Sequence, residues 1–197
     1  MRLHHAVAAG VLVANIVACS PATVAPAASV PPTIAIDAVP SVPPIGVGGK
    51  TVGVSGLVDV ATAKMCALLT GDEAKQILGK DLVAAPDGTV VAGLGTNCSW
   101  RSDETMAPGT FIKVEINQIL VKTNIDLLTL GGAAAVPVSV AGFDALGVDV
   151  GGLQKDASLV VRLADPAKPP SMLIQAPTLA QARTVAEMVL SRLDSLK

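Results

Sequence analysis

The chain has very few aromatic residues and very few histidines. Among its 197 residues there are one tryptophan, two phenylalanines and no tyrosine. Its two histidines, His4 and His5, both precede the first apolar stretch. If that stretch is a cleaved signal peptide, the mature chain has no histidine. Ser-His-Asp and Cys-His catalysis are then excluded, and so are histidine-ligated zinc, copper and haem sites.

Charged residues are also scarce, at 15 %, and the formal net charge is −2. Such a chain has no basic field for a phosphate backbone, so we predict no nucleic-acid partner. The hydrophobic content of 51 % is too high for a disordered chain, and with so few aromatics we expect an aliphatic core. The length corresponds to one domain with additional terminal segments.

The N-terminus has the features of a bacterial lipoprotein signal. A short basic start precedes a mostly apolar stretch, Ala6 to Ala18, which is shorter than the roughly 20 residues that span a bilayer. It ends in Ile16-Val-Ala-Cys19, the pattern of a lipobox, whose cysteine is acylated and becomes the new N-terminus. We therefore predict a signal peptide over 1–18 and lipidation of Cys19, which anchors the protein on the outer face of the cytoplasmic membrane. The alternative is an ordinary secretory signal cut elsewhere, near Ala25-Pro-Ala-Ala28.

Residues 19–56 are predicted to form a tether. Half of the fourteen prolines lie between Ser20 and Gly49, where Asp37 is the only charged residue. Proline without helical or alternating periodicity is typical of an extended spacer, which at about 3.1 Å per residue reaches up to ~90 Å. The alternative is an arm that packs on the domain through its aliphatic residues. The globular domain is predicted over 57–197, which is long enough to bury a core.

Two capping boxes predict helix starts in the domain. Thr70-Gly-Asp-Glu73 begins a helix that runs to Leu78, where Gly79 supplies a left-handed stop. Thr178-Leu-Ala-Gln181 begins the last helix, which carries an apolar stripe from Leu179 to Leu196. Between them, Thr123 is expected to cap a short helix that ends at Gly131-Gly132.

Alternating and β-branched segments predict the strands. In 111–120, Ile112, Val114 and Ile116 share one side, and Lys113 and Glu115 lie on the other, which indicates a half-buried antiparallel strand. Further strands are predicted over 98–101, 136–140, 158–163 and 172–175, with turns at Gly151-Gly152 and Asp165-Pro166. The fold class that follows is α+β: a twisted antiparallel sheet with about three helices packed mainly on one face.

Two cysteines lie within the predicted domain, Cys66 and Cys98. In an exported chain such a pair favours a disulfide, and Trp100, two residues beyond Cys98 on a strand, would face the same side. The alternative is a redox or metal-binding thiol pair, but no Cys-x-x-Cys spacing or other soft ligand supports it.

The segments around these cysteines resemble a known family. The stretches Met65-Cys-Ala-Leu-Leu-Thr-Gly-Asp-Glu-Ala74, Ile77-Leu-Gly79 and Asn97-Cys-Ser-Trp100 are similar to the domain of unknown function 3558 family, actinobacterial envelope proteins that are commonly lipoproteins. The resemblance covers the first third of the domain. It implies a disulfide between Cys66 and Cys98 and a location outside the cytoplasm, and it implies no activity.

The acidic residues do not predict an active site. Asp72-Glu73 suit the first turn of a helix, where negative charge complements the helix dipole. The spacing of Asp144, Asp149 and Asp156 is not that of an EF-hand loop, and we expect Lys113 and Glu115 on the solvated side of their strand. We predict no cofactor, no metal and no enzyme activity.

The function expected is that of a membrane-anchored lipoprotein, acting as a non-catalytic binding, sensing or accessory module of the cell envelope. Its partners are the membrane, through the lipid anchor, and an envelope protein or an apolar ligand. The alternative is a carrier of a lipid or other apolar ligand, which needs a cavity of several hundred Å3, on the order of typical ligand pockets. A hydrolase that uses Asp and Glu alone would need two carboxylates about 5–9 Å apart in one cleft.

Overall fold

A computed structural model describes residues 48–53, 56–130, 132–149, 155–164 and 169–196. The predicted signal peptide, Cys19 and the tether up to residue 47 lie outside these residues, as do the turns predicted at Gly151-Gly152 and Asp165-Pro166. The helices within the described ranges include none that is long and apolar enough to cross a membrane.

The described residues form four α-helices, seven strands and one 3-10 helix. In chain order these are α1 (Thr62–Cys66), α2 (Gly71–Leu78), β1 (Asp87–Val91), β2 (Gly95–Arg101), β3 (Phe111–Asn117), α3 (Val121–Leu128), β4 (Ala135–Val140), β5 (Phe143–Val148), β6 (Ala157–Arg162), β7 (Ser171–Ala176), α4 (Leu179–Arg192) and the 3-10 helix Leu193–Leu196. The strands pair in one antiparallel sheet with the order β1-β2-β3-β7-β6-β5-β4. The predicted α+β class and antiparallel sheet are confirmed.

The main core lies on one side of the sheet, here called the front face, which α1, α2 and α4 cover. Ile112, Val114 and Ile116 of β3 belong to this core, as their alternation predicted. The opposite side, the back face, is partly covered by α3, which buries Val121, Ile125 and Leu128 against Leu146, Val148 and Val160 of β5 and β6. The expectation that helices pack mainly on one face therefore holds for three helices, while α3 lies on the other.

The predicted capping box is complete at the start of α2, whereas at the start of α4 only its first hydrogen bond forms and the Gln181 side chain donates to the Ile77 carbonyl instead. Thr70 and Glu73 form a complete capping box, and Gly79 ends α2 with a left-handed φ of 65°. The Thr178 side chain accepts a hydrogen bond from the Gln181 N–H at the start of α4. The cap predicted at Thr123 is wrong, because α3 begins at Val121 without a side-chain cap.

The two domain cysteines are joined. Cys66, the last residue of α1, forms a disulfide with Cys98 in the middle of β2, with a Cα–Cα distance of 5.3 Å. Cys98 and Trp100 both belong to the front core and are fully buried. The disulfide therefore fastens the first helix to the sheet from inside the core.

The chain contacts the sheet before the predicted start of the domain at Leu57. The Lys50 N–H donates to the Gly142 carbonyl in the β4–β5 turn (2.8 Å), and the Val52 N–H donates to the Leu163 carbonyl after β6 (2.9 Å). Val52 also packs against the front core. The sheet thus holds residues 50–52 beside β5 and β6.

Candidate functional site

A groove of about 280 Å3 lies on the back face, at the end of the sheet where β2 begins and β3 ends. The β1–β2 turn forms one wall and the loop after β3 forms the other. Leu94 and Gln118 join the two walls, because the Gln118 N–H donates to the Leu94 carbonyl (2.8 Å). α3, which covers β5 and β6 on this face, leaves the groove open to solvent.

The groove has an aliphatic rim and a polar floor. Val91, Leu94 and Ile119 form the rim and are 48 %, 62 % and 37 % exposed. Asn97 and Glu115 form the floor, where they are paired across β2 and β3. Exposed aliphatic groups around hydrogen-bonding groups are typical of a small binding site.

Glycine is required where β2 enters this groove. A Cβ on Gly95 would lie 2.4 Å from the Ile116 carbonyl oxygen, and the Gly95 φ of 154° is one that other residues rarely adopt. Only glycine lets β2 and β3 approach this closely. The shape of the groove at this end is therefore set by the backbone.

A buried hydrogen-bond network holds the Ile119 wall in place. The Asn117 Oδ1 accepts from the Ile119 N–H (3.1 Å), and the Ser171 hydroxyl of β7 donates to the Ile119 carbonyl (2.8 Å). Asn124 of α3 donates to the Ser171 Oγ (2.8 Å). The side chains of Asn117, Asn124 and Ser171 are all buried, so the loop is fixed from its inner side by hydrogen bonds to buried groups.

Glu115 is held as a carboxylate by its neighbours. Its Oε2 lies 2.8 Å from the Lys113 Nζ, and its Oε1 accepts from the Asn117 Nδ2 (2.8 Å). Burial raises the pKa of Glu115, but the hydrogen bonds from Lys113 and Asn117 outweigh it and lower the pKa overall. Lys113 and Glu115 share the back side of β3, as their spacing predicted, and are the only residues of this strand that are not buried; their side chains are 28 % and 22 % exposed.

Asn97 is the free polar group of the floor. It is half-buried, and within the described part of the chain its carboxamide has no hydrogen-bond partner. A carboxamide offers both a donor and an acceptor. Together with Glu115 it can hold a neutral, hydrogen-bonding group of a ligand whose aliphatic part contacts the rim.

The acidic residues considered from the sequence lie apart from this groove. Glu73 completes the α2 capping box and forms an ion pair with Arg192, which joins α2 to α4. Asp144 pairs with the buried Arg162 and accepts from the Gly49 N–H (3.0 Å), while Asp156 accepts from the Gly109 N–H (2.6 Å). Within the described ranges no three His, Cys, Asp or Glu side chains come together in a metal-binding arrangement.

No protein-family model, curated protein or solved structure matches the chain. The resemblance around Cys66 and Cys98 therefore stays a prediction.

Sequence reasoning identified none of the groove residues as a site. The rim comes from β1, the β1–β2 turn and the loop after β3, which are distant in the chain and meet only in the folded sheet. The local signal that the sequence offers is the glycine pair Gly93 and Gly95, since closely spaced glycines are typical of turns; Gly93 lies in the β1–β2 turn and Gly95 begins β2. Nothing in the sequence indicated which side chains would surround it.

Proposed function

We propose that this chain is a lipid-anchored extracytoplasmic protein whose domain is a non-catalytic binding module, with the back-face groove as its ligand site. The anchor is proposed from the sequence Ile16-Val-Ala-Cys19 behind a short apolar stretch. The disulfide between Cys66 and Cys98 supports the location, because such bonds persist in oxidising compartments and are rare in the cytosol. This is the observation that carries the proposal.

The chemistry of the groove supports binding over catalysis. Its lining contains one carboxylate, Glu115, whereas hydrolysis by acidic residues alone needs two. Glu115 is paired with Lys113 and has a lowered pKa, which makes it a weak general base. Glu115 already interacts with Lys113 and Asn117. Its carboxylate is therefore better suited to accept a further hydrogen bond from a ligand than to remove a proton from one.

The size of the groove favours a small polar ligand or part of a larger one. Pockets that enclose a whole ligand usually have volumes of about 300–1,000 Å3 and bury most of its surface. The groove is about 280 Å3, is open to solvent and has the polar residues Asn97 and Glu115 in its floor. A lipid carrier is the alternative function.

The anchor is tested with Cys19→Ala and, as a matched control in the tether, Thr23→Ala. The host is fed a fatty-acid analogue, membranes are separated from soluble material, and the label on the chain is measured. We expect wild type and Thr23→Ala to be labelled and membrane-bound, and Cys19→Ala to lose both properties. Cys19→Ala protein that stays fully in the membrane with undiminished acyl mass would overturn the proposal.

The groove is tested by native mass spectrometry of the protein purified from its own host. A non-covalent adduct that disappears in Asn97→Ala, and persists in a control such as Thr184→Ala on α4, would support a ligand at the groove. An adduct with the mass of a lipid that is unaffected by Asn97→Ala would favour the carrier. An apo mass in every preparation would argue against the carrier.

A further inference from the structure

Strand β1 is an unprotected edge of the sheet. Within the described ranges it pairs only with β2, so its outer side has no partner strand. Thr89, Val90 and Val91 are all exposed. An exposed strand edge with aliphatic side chains is a template for pairing with another strand.

The opposite edge of the same sheet is protected. Strand β4 carries Pro137 in its middle, and proline has no N–H with which to extend a ladder. Folded proteins protect edges with proline, with lysine or with other charges; β1 has no proline and no lysine, and its one charged residue, Asp87, is its first. Within the described residues, β1 is therefore the edge of the sheet with less protection against pairing.

The open edge is electrically neutral. From Gly88 to Trp100 the chain has no charged residue. Asp87, the only charge on β1, pairs with Arg101 of β2 (3.0 Å). A neutral edge repels no second copy of itself and attracts no charged partner, so it is suited to like-with-like pairing.

We infer that β1 pairs with β1 of a second copy of this chain, in antiparallel register about a two-fold axis. The register that uses all five residues places Thr89 on the axis, opposite Thr89 of the second copy. Val90 then faces Gly88 of the second copy, and Asp87 faces Val91, so no two like charges are opposed. The two sheets become continuous, and Val91, which forms part of the groove rim, lies next to the contact.

The pairing rests on the proposed function, because the anchor supplies the concentration it needs. A single pair of short strands is only marginally stable in water. Confinement of both copies to one membrane raises their effective concentration, as a linker does for two binding modules. The dimer is therefore expected on the membrane, and in solution only at high protein concentration.

The register predicts where an engineered disulfide forms. Across an antiparallel pair, opposed Cα atoms lie about 4.5–5.5 Å apart, within the roughly 4.4–6.8 Å that a disulfide spans. Full-length Thr89→Cys on host membranes, treated with a mild thiol oxidant, is expected to give a cross-linked dimer. Val91→Cys is the matched control, because it is exposed on the same side of β1 but lies about 14 Å from its equivalent.

We expect Thr89→Cys to give roughly tenfold more dimer than Val91→Cys and wild type, since only the first has thiols within reach. Equal yields from Thr89→Cys and Val91→Cys, or none from Thr89→Cys, would overturn the inference. A cross-link from Thr89→Cys to a different protein would overturn it too, and would assign the edge to another strand donor. Emission from buried Trp100 verifies that each variant is folded.

A second measurement needs no cysteine. Sedimentation of the purified full-length chain is expected to show self-association at high concentration for wild type and a monomer for Thr89→Lys, which opposes two lysines on the axis. An acylated chain without a Thr89→Cys dimer would remove this inference and leave the proposed function. A chain that is not acylated but associates through Thr89 would remove the proposed anchor and leave this inference.

Discussion

Removal of the Cys66–Cys98 disulfide is expected to lower the free energy of unfolding by about 3.5–4 kcal/mol. The two cysteines are 32 positions apart, so the bond closes a loop of 33 residues counting both ends. The loss of chain entropy for such a loop in the unfolded state is about 12 cal/mol/K, which gives the stated energy at room temperature. Because a typical domain is stable by only about 5–15 kcal/mol, this is a large part of the total.

The assay is urea unfolding of wild type and of the Cys66→Ala/Cys98→Ala variant. Trp100 is the only tryptophan and is fully buried, so its fluorescence reports on the core in both proteins. With a urea dependence of about 1–3 kcal/mol/M, the midpoint is expected to fall by roughly 1–4 M. The slope should rise in the variant, because its unfolded chain is less compact.

Reductant provides the control. It should destabilise wild type by a similar amount and leave the double variant unchanged, because the variant has no bond to reduce. If the free energy of unfolding of the variant were within about 1 kcal/mol of wild type, the disulfide would not stabilise the domain by closing the loop in the unfolded chain, and the prediction would be wrong.

Three further predictions concern the ion pair between helices, the backbone at the groove and the buried network. The hydrogen bond from Arg192, together with those from Thr70, lowers the pKa of Glu73 from 4.5 to about 2. The unfolded chain therefore binds more protons in this range, and the stability from Glu73, full above about pH 4.5, is lost as pH falls toward 2. Since the pair is partly exposed, its contribution to the free energy of unfolding is expected to be about 1–2 kcal/mol. The urea midpoint of Glu73→Gln should lie below that of wild type at pH 6 and meet it near pH 2. A difference between the two midpoints that does not change with pH would contradict the pairing. Gly95→Ala should lower the free energy of unfolding, measured by urea unfolding, by about 2–4 kcal/mol because the new Cβ meets the Ile116 carbonyl. Gly48→Ala, which has open space around it, should leave the free energy of unfolding almost unchanged. Asn124→Ala should cost about 1–3 kcal/mol and speed hydrogen exchange at the Ile119 amide, since it removes the buried donor to Ser171; unchanged exchange would show that this network does not hold the groove wall.

Local chemistry made part of the fold predictable from the sequence. The Thr70–Glu73 and Thr178–Gln181 signals mark true helix starts, because capping is decided within one turn of helix. The alternation in β3 is also local, since its front side is core and its back side is polar. These elements needed no knowledge of distant contacts.

The elements that were not predicted depend on tertiary contacts. Strand β5 is buried on both faces, so Phe143 to Val148 shows no alternation, and it includes Asp144 and Gly147, which are unusual in strands. Strand β1 lies at an exposed edge and contains Gly88. Four of its five residues are exposed, so its sequence shows no alternation between a buried and a solvated side. Helix α1, which has five residues, is too short to produce a periodic signal.

The groove could not be predicted for a related reason. Its walls come from the β1–β2 turn and the loop after β3, and the network that fixes them includes Asn124 of α3 and Ser171 of β7. Pairing of Lys113 with Glu115 across one strand face looked like ordinary solvated charge in the sequence. In the folded sheet both side chains are partly buried, and Glu115 lines the groove.

We propose that an acylated cysteine holds the domain outside the cell, and the intact mass of the chain, isolated from membranes and alkylated without reductant, is the test of this anchor. The chain is expected to start at Cys19, to carry the added mass of acyl groups and to show no alkylation at Cys66 or Cys98. A chain that still starts at Met1, without acyl mass and with both domain thiols alkylated, would contradict it.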